Sequence, residues 1–141
     1  MSTPFAATPA SNRRIGRSIV AVIVAILANA ILSLIFDQLF HVLGVYPPWG
    51  QPMFSPALNV LALGYRIVFG VFAGYLVARL APSDPARHAR ILGVIATVLG
   101  AGGVLVGITH RELGPIWYPV LLAVSAYPAI GLGAAWYRRA R

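Results

Sequence analysis

The stretch SPALNVLALGYRIVFGVFAGYLVARLAP, residues Ser55 to Pro82, decides the class of this chain. A membrane-spanning helix needs about 20 apolar residues, each of which adds about 1.5 Å along the axis. The run from Pro56 to Leu80 reaches that length only if Arg66 lies in or near the hydrocarbon. This stretch therefore predicts a transmembrane helix that carries an arginine inside the membrane.

The composition extends this prediction to the whole chain. Of its 141 residues, 59% are hydrophobic and 10% are charged, and the mean hydropathy is +0.80. These values lie outside the range of soluble domains and indicate a membrane protein. The absence of cysteine excludes disulfides and thiolate chemistry.

Four apolar runs are separated by short polar segments, which predicts an all-α, four-span transmembrane helical bundle. The expected spans are about 18–36, 56–80, 91–108 and 115–135. Pro56 and Pro115 stand at the starts of two spans, where the missing N–H of proline costs no helical hydrogen bond. Residues 1–12 are rich in Ser, Thr, Pro and Ala and are expected to form a disordered cytoplasmic tail, followed by a single membrane domain, 13–141. The first run is too long for a cleaved signal peptide, so we expect it to remain as a span.

The arginines predict the orientation of the bundle. All 11 basic residues are arginine, and the formal net charge is +8. Nine of them lie before span one, around the turn between spans two and three, or after span four: Arg13, Arg14, Arg17, Arg79, Arg87, Arg90, Arg138, Arg139 and Arg141. Arg111 is alone at the opposite side, so the positive-inside rule places both termini in the cytoplasm. This use of the charge argues against nucleic-acid binding.

The connection between spans one and two is expected to be an outer loop that lies against the membrane surface. Residues 42–54 contain three prolines and two glycines, which do not sustain a helix. Tyr46 and Trp49 in this segment favour the boundary between water and lipid.

Small residues form a stripe along spans two and three. At spacings of three and four, small side chains let transmembrane helices approach closely. The glycines of these stripes are Gly70, Gly74, Gly93, Gly100, Gly103 and Gly107. We expect the two faces to pack against each other or against another subunit, and packing within the bundle is the simpler interpretation.

Arg66 needs a partner because a charge inside a membrane is costly. It lies about 15 Å along the helix from Pro56. Asp37, near the end of span one, is the first candidate, and Glu112, in the turn before span four, is the second. The arginine either snorkels outward in a structural salt bridge or belongs to a substrate, ion or proton site. Asn29, midway along span one, is expected to hydrogen-bond to another helix.

No pattern in the sequence indicates an enzyme. No nucleophile has a recognisable base beside it, and we expect no catalytic residues and no cofactor. Asp37 and His41 are four residues apart, but two ligands are too few for a structural zinc site, so no metal is expected.

Part of the chain resembles a known group of proteins. The pattern includes Tyr65-Arg66, Gly74-Tyr75-Leu76, the segment 78–82 and Trp117-Tyr118-Pro119. Over about Tyr65 to Gly133 it is similar to small uncharacterised four-helix membrane proteins of bacteria. The resemblance implies a multi-pass protein of a bacterial inner membrane and implies no activity.

Two functions are compatible with these features. The first is an accessory or structural membrane protein that acts through helix–helix association, supported by the small-residue stripes. The alternative is a subunit of an oligomeric minimal transporter or channel, supported by Arg66, by Asn29 and by Pro128, which should kink span four. The expected partners are the lipid bilayer and either further copies of the chain or a larger membrane complex.

Overall fold

A computed structural model describes residues 9–141 and has four long helices. They are α1 (Pro9–Val42), α2 (Pro56–Leu80), α3 (Pro85–Thr109) and α4 (Trp117–Arg139), with a short 3₁₀ helix at Arg111–Leu113. No described residue belongs to a strand. All four long helices are long and apolar enough to cross a membrane. The expected all-α architecture with four candidate membrane spans is therefore confirmed.

Helix α1 is longer than the expected first span at both ends. It begins at Pro9, so residues 9–12 are helical and not part of a tail; residues 1–8 of that expected tail lie outside the described residues. The helix continues past Asp37 to Val42, and Gly44 follows with φ of +71°. A left-handed glycine just beyond a helix is a common terminator because it has no Cβ to clash.

Helix α3 begins six residues before the expected span, inside the segment expected to form a turn. Asp84 precedes it, and its carboxylate accepts a hydrogen bond from the Arg87 amide at 3.1 Å. Pro85 then occupies the first turn, where its fixed φ suits the helix. An acidic cap followed by proline is a strong helix start, which explains why the polar residues 85–90 are helical.

Helix α4 is the common neighbour of α2 and α3. It packs along both of them, whereas α2 and α3 touch each other much less. A Cβ on Gly74 would overlap the backbone of Ile130, and a Cβ on Gly133 would overlap the backbone of Val71. The two glycine faces thus pack on α4 and not on each other, which corrects the expected pairing.

The α3 glycines differ in how closely neighbouring atoms approach them. A Cβ on Gly100 would lie 2.8 Å from the Ala123 Cα, and one on Gly93 would meet the ring of Tyr127. A Cβ on Gly107 would lie 3.1 Å from the Pro119 side chain. Gly103 has nothing within 4 Å of the position a Cβ would take, so it makes no close helix contact in the described chain.

Helix α1 packs mainly on α2 and reaches α3 only near one end of the bundle. There the Nε2 atom of His88 is 2.9 Å from the Ser18 hydroxyl, and Ala21 and Ala25 are buried against the bundle. We call this the terminal end, because both α1 and α4 have their chain termini there. The opposite end, with segments 43–55 and 110–116, is the loop end.

Segment 43–55 folds over the loop end as an ordered cap. Tyr46 is buried, and the indole N–H of Trp49 donates to the Gln38 side chain at 3.0 Å. The Met53 amide donates to the Leu113 carbonyl at 2.9 Å, which ties the two connections at this end together. The Asn59 amide group donates to the Met53 carbonyl at 3.0 Å.

We expect Gly74→Ala to lower the free energy of unfolding by about 1–3 kcal/mol or more, because the added methyl group must push α4 away from α2. Gly64→Ala on the same helix is the matched control, since nothing lies within 4 Å of its Cβ position. That control should be neutral or slightly stabilising. Unfolding in mixed detergent micelles measures both, and equal effects of the two variants would contradict the packing described.

Candidate functional site

A group of four polar side chains joins α1, α2 and the loop segment near the loop end. Its members, which we call the Asp37–Arg66 cluster, are Asp37, Tyr46, Tyr65 and Arg66. Arg66 Nη2 donates to Asp37 Oδ2 at 2.5 Å, and Nη1 donates to the Tyr65 hydroxyl at 3.2 Å. The Tyr65 hydroxyl donates to Asp37 Oδ1 and accepts from the Tyr46 hydroxyl at 3.1 Å. Tyr65 therefore uses its one donor and both acceptor lone pairs.

The cluster is largely removed from solvent. The side chains of Arg66 and Asp37 are 22% and 13% exposed. Phe36, Phe40 and Phe69 surround the Tyr65 ring at centroid distances of 5.6, 5.7 and 5.8 Å. In such surroundings an unpaired charge is strongly unfavourable, so each charged group depends on the other.

Helix α1 presents its polar residues to this site as a stripe. Asn29, Ser33, Asp37 and His41 follow one another at intervals of four, which places them on one face of the helix. The stripe runs from the middle of α1 to the loop end. The sequence reasoning identified Asn29 and Asp37 but missed Ser33, Tyr46 and Tyr65; the spacing of four could have revealed Ser33.

A cavity of about 310 Å³ lies between α1 and α3, with α2 and α4 as its floor. Arg66 borders it together with Asn29 and Ser33 of α1, and Gly103 belongs to the α3 wall. The rest of its lining is mainly apolar. Helices α1 and α3 make few contacts, one of which is the Ser18–His88 hydrogen bond at the terminal end.

Asn29 has an unsatisfied group in this region. Its Oδ1 atom is buried and has no hydrogen-bond partner in the described chain. The expected interhelical hydrogen bond of this oxygen is therefore absent. A buried polar atom without a partner costs about 1–3 kcal/mol, so its retention here calls for an explanation.

A second pocket, of about 230 Å³, lies on the other side of the ion pair, under the loop segment. Asp37 and Arg66 both line it, with His41, Trp49 and Tyr118. Of these two charged residues, Arg66 also lines the first cavity, whereas Asp37 does not. Arg66 is thus shared by the linings of the loop pocket and of the cavity between α1 and α3.

Glu112, the second candidate partner, lies away from Arg66. It is exposed at the loop end and pairs with His110 Nδ1 at 3.1 Å. Hydrogen bonding from its own backbone amide, and then the contact with His110, hold the pKa of the Glu112 carboxyl below its usual value. His41 Nδ1 is 2.6 Å from the Pro47 carbonyl oxygen. Within residues 9–141, no group of three or more potential ligands could hold a metal ion.

Comparisons with known proteins add no family to this description. No protein-family model matches the chain, and no curated protein or solved structure is significantly similar to it. The resemblance to small bacterial four-helix membrane proteins therefore stays a prediction.

We expect Asp37→Ala to lower the free energy of unfolding by about 3–5 kcal/mol, because it leaves the Arg66 charge buried and unpaired. Glu112→Ala removes an exposed pair and should change stability little. Thermal unfolding in detergent compares the two. If Asp37→Ala were as mild as Glu112→Ala, the Asp37–Arg66 pair would not hold α1 on α2.

Asn29→Leu should leave the stability of the empty protein unchanged or raise it, since it removes an unsatisfied polar atom from an apolar region. Thermal unfolding of the delipidated protein measures this effect. A large loss of stability would show that the Asn29 side chain already has a partner.

Proposed function

We propose that this chain is a multi-pass membrane protein that binds a lipid-like amphiphile in the cavity between α1 and α3. The observation that carries the proposal is the cavity itself: a mainly apolar space among four helices, with Arg66, Asn29, Ser33 and Ser125 at its polar positions. Ligand sites commonly combine an apolar lining with a few polar groups that fix orientation. A hydrocarbon chain suits the lining, and a polar head suits the end at Arg66.

The terminal half of the bundle favours binding over conduction through one copy of the chain. Small and branched side chains from all four helices fill that half, including Ala25, Val77 and Ala89, which are almost fully buried. The polar stripe on α1 ends at Asn29 and does not continue into the terminal half. A polar path is therefore present only from the loop end to the middle of the bundle.

Helix–helix association with a partner receives less support. The glycines at Gly74, Gly93 and Gly100 are occupied by α4, so their close packing is already used within the bundle. The accessory role and the oligomer stay predictions. If the arginines orient the bundle by the positive-inside rule, Arg66 lies in the half of the bundle opposite the cytoplasm.

Filling the cavity tests the proposal. Gly103 lines the cavity and has open space around its Cβ position, so Gly103→Leu should occupy the site without moving a helix. Gly102→Leu is the matched control, because Gly102 also has open space and does not line the cavity. Each variant is placed in nanodiscs with a single-chain photoactivatable lipid, and the labelled residues are mapped by mass spectrometry.

Labelling should concentrate on cavity residues in the native chain and in Gly102→Leu, and should fall at least several-fold in Gly103→Leu. Labelling spread evenly over the lipid-facing surface, or equal labelling of the two variants, would contradict a specific site.

A further inference from the structure

We infer that the amphiphile of this site carries a single hydrocarbon chain and an oxyanion head, a carboxylate or a phosphate, that binds to Arg66. This inference rests on the proposed function. Arg66 lines both the cavity and the loop pocket, whereas Asp37 lines only the loop pocket. A molecule in the cavity therefore lies beside Arg66 and is not in contact with Asp37.

The guanidinium group has hydrogen-bond capacity left for such a head. It has five N–H donors. Within the described chain, it donates to two acceptors, Asp37 Oδ2 and the Tyr65 hydroxyl. The fork geometry of arginine matches the oxygen pairs of carboxylates and phosphates.

The polar groups beside Arg66 are compatible with an oxyanion. Ser33 and Asn29 line the same wall of α1. The Ser33 hydroxyl and the Asn29 amide nitrogen can donate to an oxyanion, whereas the unpartnered Asn29 Oδ1 can only accept, from water or from a hydroxyl of the ligand. Asp37, the acidic member of the cluster, is absent from the lining. A cationic head would therefore meet a positive charge, with the compensating carboxylate behind it.

The volume of the cavity limits the tail. An apolar cavity of about 150 Å³ is enough to admit benzene. At about 310 Å³, this cavity has roughly twice that space. Such a volume accommodates part of one hydrocarbon chain, and the remainder of a longer chain would extend out of the open side of the cavity.

The test compares three nitroxide-labelled single-chain amphiphiles that differ only in the head: a carboxylate, a hydroxyl and a primary ammonium. The protein is held in zwitterionic nanodiscs at about pH 8.5, where the carboxylic acid is ionised and the amine protonated. Electron paramagnetic resonance gives the immobilised fraction of each probe. A phosphate monoester of the same chain then distinguishes the two oxyanions.

We expect the carboxylate to bind about tenfold more tightly than the alcohol, a difference of about 1.4 kcal/mol, because hydrogen bonds between two ionised groups are stronger than those with a neutral acceptor. The ammonium probe should bind most weakly. Arg66→Gln should remove the preference, and Arg79→Gln, an exposed arginine at the other end of α2, should retain it. Asp37→Asn should strengthen carboxylate binding, because it leaves the guanidinium charge uncompensated.

The outcomes separate the two proposals. If all three heads bind equally to the native protein and Gly103→Leu weakens them all, the oxyanion head is wrong and the amphiphile site stands. If none of the probes binds specifically, the proposed function itself fails. The comparison of heads on the native chain decides the inference even if Arg66→Gln does not fold.

Discussion

The cost of a charge inside a membrane is the constraint on which this structure depends. Arg66 is about ten residues into α2, and its removal from water is tolerable only with a partner of opposite charge. Asp37 supplies that charge from α1, and Tyr65 bridges the two groups. The position of α1 at the loop end is thereby fixed by a polar contact. Lipid removes most of the hydrophobic drive that would fix it in water.

The remainder of the bundle is held by close approach of backbones. Gly74 and Gly133 bring α2 and α4 together, while Gly93 and Gly100 do the same for α3 and α4. Helix α1 has no such glycine contact: Gly16, the only described glycine in that helix, has nothing within 4 Å of its Cβ position. It is attached by the Asp37–Arg66 cluster at one end and near Ser18 at the other. This difference in attachment leaves the cavity between α1 and α3.

The sequence predicted the features that depend on local composition, such as the number of helices. It did not predict which helices pack against each other, because that depends on the tertiary structure. Apolar run lengths give four helices, and the depth of Arg66 demands an acidic partner, of which the described chain offers only Asp37, Asp84 and Glu112. The small-residue stripes indicate close packing, but nothing in a stripe says which helix will face it. Both stripes face α4, whose own Gly133 was not among the expected packing residues. Helix ends beyond the apolar runs, as at Pro9, were missed because polar residues are also compatible with helix.

The structural and functional interpretations of Arg66 describe two sides of one group. Toward the loop pocket, the arginine is neutralised by Asp37, and that contact holds α1 in place. Arg66 also lines the cavity, and its guanidinium group donates to two acceptors in the described chain out of a capacity of five donors. Enclosure of an ion pair by apolar side chains on every side would remove the hydration of both charges, and this penalty can exceed their mutual attraction. Here the pair borders two open spaces, with Asn29 Oδ1 unsatisfied near one of them. The ligand proposed above would occupy one of these spaces and could complete the contacts of Asn29.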